Sequence, residues 1–245
     1  MTSRDLYKGY SGKADIYYRP PYPEALIDYL AQALAASPGR KVADIGCGTG
    51  IFTRQLAPRA DHIYAIEPNQ EMAAVCAREC ATHLNISVVP AVAEATGLAD
   101  HGVDWVIAAS AFHLFESAEL FRRESRRILR PGGRAAIIWN NFKDQKCRFN
   151  QRLLAFLDTD VWGNLQRLRV FFAGAPSERI VFDHDFVLTR EQFLSFNLSS
   201  AAAPRKGEDG YEVFLDELEN LFAREAGGNG RIVLPHQTSV FIGEL

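Results

Sequence analysis

No run of about 18 apolar residues occurs in the chain, so no segment is expected to span a membrane. Met1-Thr2-Ser3-Arg4-Asp5 is not followed by the apolar stretch of a signal peptide, and a cytoplasmic setting is expected. An excess of positive charge is also missing. The formal net charge is -3, whereas proteins built to grip phosphate backbones are usually basic, so nucleic acid is not expected as the main partner. Cysteine is sparse. Cys47, Cys76, Cys80 and Cys147 follow no zinc-binding spacing, and no metal is expected. Cys76 and Cys80 stand one helical turn apart and read as small packed hydrophobes, kept reduced in a cytoplasm. Internal repeats and low-complexity stretches are absent.

What is present suits one α/β domain with an insertion: 245 residues, of which 47% are apolar, enough for a sizeable core. Residues 1–22 carry Tyr7, Tyr10, Tyr17, Tyr18 and Arg19 and run into Pro20, Pro21 and Pro23, which predicts an irregular arm or short helix. Leu26, Ile27, Leu30 and Leu34 recur at helical spacing over Glu24–Ala36. Strands are predicted at Lys41–Asp44, His62–Glu67, Ile86–Val89, Val103–Ala109 and Arg134–Trp139. The last two read as buried parallel strands. Helices alternate with them: one after Gly50, one capped by Asn69, and one from Ser117 to Leu129 that Pro131-Gly132-Gly133 ends. Alternation of this kind predicts a Rossmann-like, mostly parallel seven-stranded sheet with helices on both faces.

Beyond residue 140 the pattern changes. Helical pieces are expected at Asn150–Leu157 and Gln166–Phe172, and a strand-like stretch at Ile180–Leu188. Thr189 and Gln192 form a capping-box signature, and Tyr211–Glu225 is a helix. Two antiparallel strands, Arg231–Pro235 and Ser239–Gly243, are expected to close the chain, joined by a hairpin turn at His236-Gln237-Thr238. Residues 1–245 read as one domain: a core of 1–140 and 211–245, and a mainly helical lid or acceptor region at 141–210.

The chemistry lies in Val42-Ala43-Asp44-Ile45-Gly46-Cys47-Gly48-Thr49-Gly50. Glycines directly after a buried strand permit a tight turn and close approach of a ligand to the backbone. Ile51 stands where a dinucleotide fingerprint needs its third glycine, which disfavours a pyrophosphate and an NAD-dependent oxidoreductase. Glu67 ends the next strand, where a carboxylate can accept both hydroxyls of a ribose. In a parallel sheet these residues and the segment after Ala109 share the carboxyl edge, where open α/β sheets bind ligands. The pattern predicts a site for a nucleoside without a pyrophosphate.

These motifs resemble class I S-adenosylmethionine (SAM)-dependent methyltransferases. Asp44 to Gly50 is similar to their first motif, Glu67 to the acidic second motif, and Leu129-Arg130-Pro131-Gly132-Gly133 to the turn before their fifth strand. Arg19-Pro20, Tyr22-Pro23, Ala93-Glu94-Ala95 and Ala111-Phe112-His113-Leu114-Phe115 look like the trans-aconitate-methyltransferase-like small-molecule group. The resemblance covers residues 10–140 and, more loosely, the final hairpin, with Leu114 departing from a frequent aromatic. It implies transfer of a methyl group to an O, N or C nucleophile of a small-molecule acceptor, a carboxylate or secondary metabolite among the options, with S-adenosylhomocysteine as product. It implies that Gly46, Cys47, Gly48 and Gly50, with Thr49, cradle the methionine and ribose part of SAM. Asp44 would face its amino group, Glu67 its ribose, Pro68 and Met72 the adenine side, and Ala93 and Glu94 the adenine edge. Ser110 and Ala111 would line the methionine end, and Tyr10 and Arg19 would close over it.

His113 follows the fourth strand near the reacting end. Two readings stand: a general base for the acceptor, or a ring that packs over the cofactor. Tyr17 and Tyr18 either orient an acceptor or pin the arm. Trp162, Phe171 and Phe172 either line an acceptor pocket or form the core of the insertion. Arg122, Arg123, Arg126, Arg127 and Arg130 share one predicted helix, which reads as a solvated basic face more readily than as an RNA platform. Ser110-Ala111-Phe112-His113 lacks the Asn/Asp-Pro-Pro-Tyr/Phe stretch of base-amine methyltransferases. A SAM-binding enzyme that moves no methyl, such as a cyclase, and a non-catalytic SAM-binding subunit remain as alternatives.

Overall fold

The computed structural model describes residues 7–143 and 161–245. The expected helix at Asn150–Leu157 and Cys147 lie outside the described residues, as does the Trp162 side chain. The arm holds two short 3-10 turns, Tyr7–Tyr10 and Ala14–Ile16. It leads into α1 (Glu24–Ala35), whose Leu26, Ile27, Leu30 and Leu34 are fully buried. Burying each such side chain stabilises the fold by about 1.5–3 kcal/mol.

Then strands and helices alternate: β1 (Lys41–Ile45), α2 (Ile51–Leu56), β2 (His62–Ile66), α3 (Gln70–Glu79), β3 (Ile86–Val89), β4 (Val103–Ala109), α4 (Ala118–Ile128) and β5 (Leu129–Phe142). Asn69 caps α3 by accepting the N–H groups of Glu71 and Met72, and Ser117 caps α4 by accepting that of Leu120. The chain continues through α5 (Val161–Phe172), β6 (Ser177–Asp183), β7 (Phe186–Thr189), α6 (Arg190–Leu198), α7 (Tyr211–Glu225), β8 (Arg231–Leu234) and β9 (His236–Gly243). The capping box at the start of α6 forms as Thr189 and Gln192 predict.

The main sheet has seven strands in the order β3-β2-β1-β4-β5-β9-β6. β1 to β5 pair in parallel, and β9 runs antiparallel to both neighbours. Side chains alternate between the faces with period two. Val106, Ala108, Ala135 and Ile137 meet Phe121 of α4 and Phe171 of α5. Trp105, Ile107, Ala136 and Ile138 meet α1 and α2. This is the Rossmann-like sheet that the alternation predicts. The order reverses between β1 and β4, which leaves a crevice at their carboxyl ends.

Four expectations change. Pro131-Gly132-Gly133 does not follow a helix that ends at Leu129. Helix α4 stops at Ile128, and the three residues lie in an irregularity of β5, where pairing jumps from Val103↔Leu129 to Trp105↔Arg134. Ile180–Leu188 is two strands, β6 and β7, broken at His184-Asp185. β8 and β9 do not pair with each other through a turn at 236–238. β8 joins β7 in a separate antiparallel pair, while His236, Gln237 and Thr238 begin β9. Hydrophobic alternation reveals a strand but not its partner.

The boundary at 140 and 211 does not follow the packing either. Within 141–210, α5 packs Phe171 and Phe172 into the main core and β6 is a sheet strand. α6, α7, β7 and β8 share a third core of Phe186, Phe193, Phe214 and Leu218. The arginine row is divided as well. Arg130 belongs to β5 and pairs with Asp104 at 3.1 Å, and Arg127 pairs with Asp100 and Glu124 at 2.6 and 2.7 Å. No helix among the described residues is long and apolar enough to cross a membrane, and no cluster of three potential metal ligands occurs among them.

Candidate active site

A cavity of about 570 Å³ opens at the carboxyl ends of β1, β2 and β4. Every residue assigned to the SAM site, and His113, lines it except Gly50, whereas the acceptor-side candidates Tyr18, Phe171 and Phe172 do not. Gly46, Gly48 and Gly50 all have left-handed φ, at +73°, +57° and +80°. A Cβ on Gly46 would lie 2.5 Å from the Ala111 Cβ, so this glycine lets the turn after β1 nest against the turn after β4. Gly48 has nothing within 4 Å of such a Cβ, which leaves its backbone open to a ligand. Gly50 faces away, its Cβ position 2.7 Å from Cys76 Sγ of α3, so it shapes the turn and does not touch the cavity. Cys47 lines the cavity and packs against Cys76, Sγ to Sγ 3.7 Å.

Asp44 is the penultimate residue of β1 and is 1% exposed. Its Oδ2 accepts a 2.5 Å hydrogen bond from Thr53 Oγ1 of α2, while Oδ1 is buried with no protein partner among the described residues. Burial raises its pKa to about 7 against the help of Thr53. An unpartnered buried carboxylate oxygen costs stability unless a donor arrives. Glu67 is also buried. Its Oε2 accepts the Gly48 N–H and its Oε1 the Asn69 N–H, both at 2.9 Å. Burial raises its pKa despite these bonds. Each oxygen keeps a further lone pair for a hydroxyl donor.

The arm closes over these groups. Its Gly12 N–H donates to Glu71 of α3 at 2.6 Å, and the buried Lys13 donates to the Ser200 and Ala203 carbonyls at 2.5 and 2.6 Å. Arg19 Nη1 donates to the Tyr18 and Phe196 carbonyls and to Ser199 Oγ. Its guanidinium lies 4.7 Å from the Tyr17 ring centre and 4.9 Å from that of Phe196. Tyr10 stands edge-on to Tyr17, and burial pushes its hydroxyl up to about 12, so it stays a neutral donor. Tyr17 lines the cavity, whereas Tyr18 packs on the third core.

Beyond β4, Ser110 sits at φ +55°, strained for a residue with a side chain, and its Oγ accepts from Tyr22 at 3.0 Å. Gln55 holds the Tyr22 backbone from both sides, accepting its N–H and donating to its carbonyl. His113 faces the cavity with a pKa lowered to about 4 by burial and by the charge of Arg167. Arg167 is itself fixed on the Phe112 and Phe115 carbonyls. Glu94 lines the cavity, and its Oε1 accepts the Glu116 N–H at 2.7 Å, holding the approach to α4.

The far wall consists of residues to which the sequence pattern gave no role: Tyr22, Asn140, Phe186, Phe196 and His236. Tyr22 lies in the Tyr22-Pro23 motif, and no local motif marks the other four. All five come from separate segments, and His236 sits in what reads as a turn.

A glycine turn, a strand-ending acid and a buried aspartate thus meet at one sheet edge. Residues 43–137 match the family described as a methyltransferase domain. A protein of Mycobacterium tuberculosis, named an uncharacterized methyltransferase, is 33% identical over 161 residues, 65% of this chain and 63% of its own length. Malonyl-acyl-carrier-protein O-methyltransferase of Bacteroides fragilis is 32% identical over 175 residues, 70% of this chain and 32% of that protein. A solved structure described as a type II methyltransferase from Anaeromyxobacter dehalogenans superposes with a TM-score of 0.58 at 26% identity, covering 92% of this chain and 95% of that one. The matches span only 63% and 32% of those two curated relatives. Residues 43–137 form a methyltransferase domain, the chain is similar in sequence and fold to class I SAM-dependent methyltransferases, and SAM is the methyl donor that this similarity implies.

Proposed function

We propose that the whole chain transfers the methyl group of SAM to an O, N or C nucleophile of a small molecule and releases S-adenosylhomocysteine. The buried, unpartnered Oδ1 of Asp44 carries this reading, because an ammonium group is the donor it lacks. SAM supplies an already activated methyl group through its sulfonium charge. The protein's part is to bind, orient and exclude water. Gly46, Cys47, Gly48 and Thr49 offer the close backbone wall. Asp44 holds the amino group and Glu67 the ribose hydroxyls. Pro68, Met72, Ala93 and Glu94 flank the adenine, Ser110 and Ala111 the methionine end, and Tyr10 and Arg19 close the arm over it. His113 is neutral above about pH 4 and serves as packing beside the methionine end.

An enclosed cavity covered by an aromatic arm supports a small acceptor, not a nucleic acid. α6 and the loop that Lys13 holds act as its lid. The cavity lining carries one guanidinium, Arg19, against the carboxylates of Asp44, Glu67, Glu94 and Glu116, which favours the net positive donor and repels a polycarboxylate acceptor. A cytoplasmic setting belongs to the same reading.

Calorimetry should show SAM binding and no comparable binding of NAD. A metabolite screen with methyl-labelled SAM should then reveal the acceptor, with S-adenosylhomocysteine forming in step with its consumption. An acceptor consumed with no S-adenosylhomocysteine formed would transfer the site to cyclase-type chemistry, and SAM bound no better than NAD would remove the reading altogether.

A further inference from the structure

Resting on that reading, we propose that His236 selects the methyl acceptor: a neutral aromatic molecule with a hydroxyl group that donates to His236 Nε2. The antiparallel course of β9 makes this possible. Its first residue pairs with Phe142 at the carboxyl end of β5, so His236 arrives at the sheet edge where the cavity opens. The ring is 3% exposed. Its Nδ1 lies 3.0 Å from the Leu234 carbonyl, an acceptor only, so Nδ1 carries the proton and Nε2 is left as an acceptor. The backbone N–H of His236 donates to Asp185, which Lys143 neutralises at 2.9 Å. Phe186 stacks on the imidazole at a ring distance of 4.0 Å and Phe142 lies tilted at 4.2 Å, so the ring cannot turn away.

The surroundings set the ligand class. Phe186, Phe196, Tyr17 and Leu114 offer flat and apolar contact, which suits an aromatic ring. Asn140 Oδ1 is already occupied by Thr238 Oγ1 at 2.6 Å, and Arg19 Nη1 by its three oxygens. The acidic lining opposes an anionic acceptor. A hydroxyl donor satisfies Nε2, whereas a carboxylate meets it lone pair to lone pair.

The same atom can hold the released proton. The acceptor oxygen forms its bond to the methyl carbon as the carbon–sulfur bond breaks, with that electron pair leaving on sulfur, and the hydroxyl proton passes to Nε2. Burial holds the His236 pKa near 4, and an oxygen that has gained a methyl group is a far stronger acid than such an imidazolium. Transfer is therefore late and downhill, and the proton leaves to water with the products.

The test uses the full chain with para-propylphenol, para-propylaniline and para-propylbenzoate as probes. Two readouts apply: methyl-labelled SAM turnover, and calorimetric binding of each probe in the presence of S-adenosylhomocysteine. The phenol should exceed each of the other two at least about tenfold in kcat/KM, and it should bind most tightly. His236→Phe keeps the stacked ring and removes the acceptor atom. It should lose at least about tenfold on the phenol in both readouts, with SAM affinity unchanged. His236→Gln, which restores an amide oxygen, should recover part of that loss. Equal handling of the three probes, preference for the benzoate, no labelled product from any of them, or a folded His236→Phe that keeps its phenol activity would each overturn the proposal. If both variants misfold, the wild-type preference still decides. If SAM itself does not bind, the methyl-transfer reading fails first; if SAM binds and the phenol is not preferred, this inference alone fails.

Discussion

The two walls of the cavity are made in different ways. The wall proposed for the donor uses residues at the ends of neighbouring parallel strands: Asp44 and Gly46 to Thr49 at the end of β1, Glu67 after β2, Ser110 and Ala111 after β4. Each lies within a short local motif, and the sheet only has to close for them to meet. The acceptor wall draws Asn140 from β5, Phe186 from β7, Phe196 from α6 and His236 from β9. Those positions share no motif: Asn140 and His236 come from paired strands of the main sheet, Phe186 and Phe196 from the third core. A site built from local turns is expected to be intolerant of backbone change, whereas one built from packed side chains on separate elements can be retuned singly.

The strongest way to break the donor wall is Gly46→Ala. A Cβ would sit 2.5 Å from Ala111 at φ +73°, so the variant should lose about 2–4 kcal/mol and roughly 5–15 °C of thermal midpoint, together with SAM binding. Adding Ala111→Gly should recover part of the midpoint by removing the clash but not the φ strain. A pair no better than the single variant would show that contact to be unimportant.

Glu67→Ala comes next. SAM affinity by calorimetry should fall at least about tenfold, because a charged hydrogen-bond acceptor is worth roughly 1.5–3 kcal/mol. Unchanged affinity would take Glu67 out of the site.

Asp44→Asn separates function from stability. The folded-state pKa of Asp44 is raised from 3.8 to about 7, so the folded protein holds a proton that the unfolded chain has lost across that window. Ligand-free stability should therefore fall as pH rises from about 4 to 7, then level off. In the Asn variant this fall should be missing, so at pH 8 its midpoint should exceed that of the wild type by at least about 2 °C. SAM binding to the wild type should tighten as pH rises through 7 and the carboxylate ionises; in the variant it should be weaker and free of this trend. Thermal melts and calorimetry at pH 6 and 8 check both.

His113→Ala should matter least. With a pKa near 4, the ring is neutral throughout pH 5.5–8, so kcat should change only by a few fold and the pH profile should keep its shape. A basic limb near neutrality that vanished in the variant would restore His113 as a base.

Much of this was legible before folding. Asp44, the glycine turn and Glu67 could be placed because strand ends are marked by the switch from apolar runs to Gly, Asn and Pro, and the direction of a parallel sheet then puts all of them at one edge. The helix caps at Asn69, Ser117 and Thr189 are likewise local chemistry. Gly50 misled because the sequence shows that a glycine is needed but not which neighbour needs it. Here that neighbour is the Cys76 thiol behind the turn.

By itself the sequence determined the alternation of strands and helices up to residue 140 and the motifs that resemble a methyltransferase, since each rests on periodicity or contiguous motif. Tertiary structure alone decided that β9 pairs with β5 and β6 instead of β8, and so that His236 leaves an apparent turn for the floor of the acceptor pocket. Strand pairing over such distances follows from which faces can be buried together, a property of the whole core that no window of residues contains.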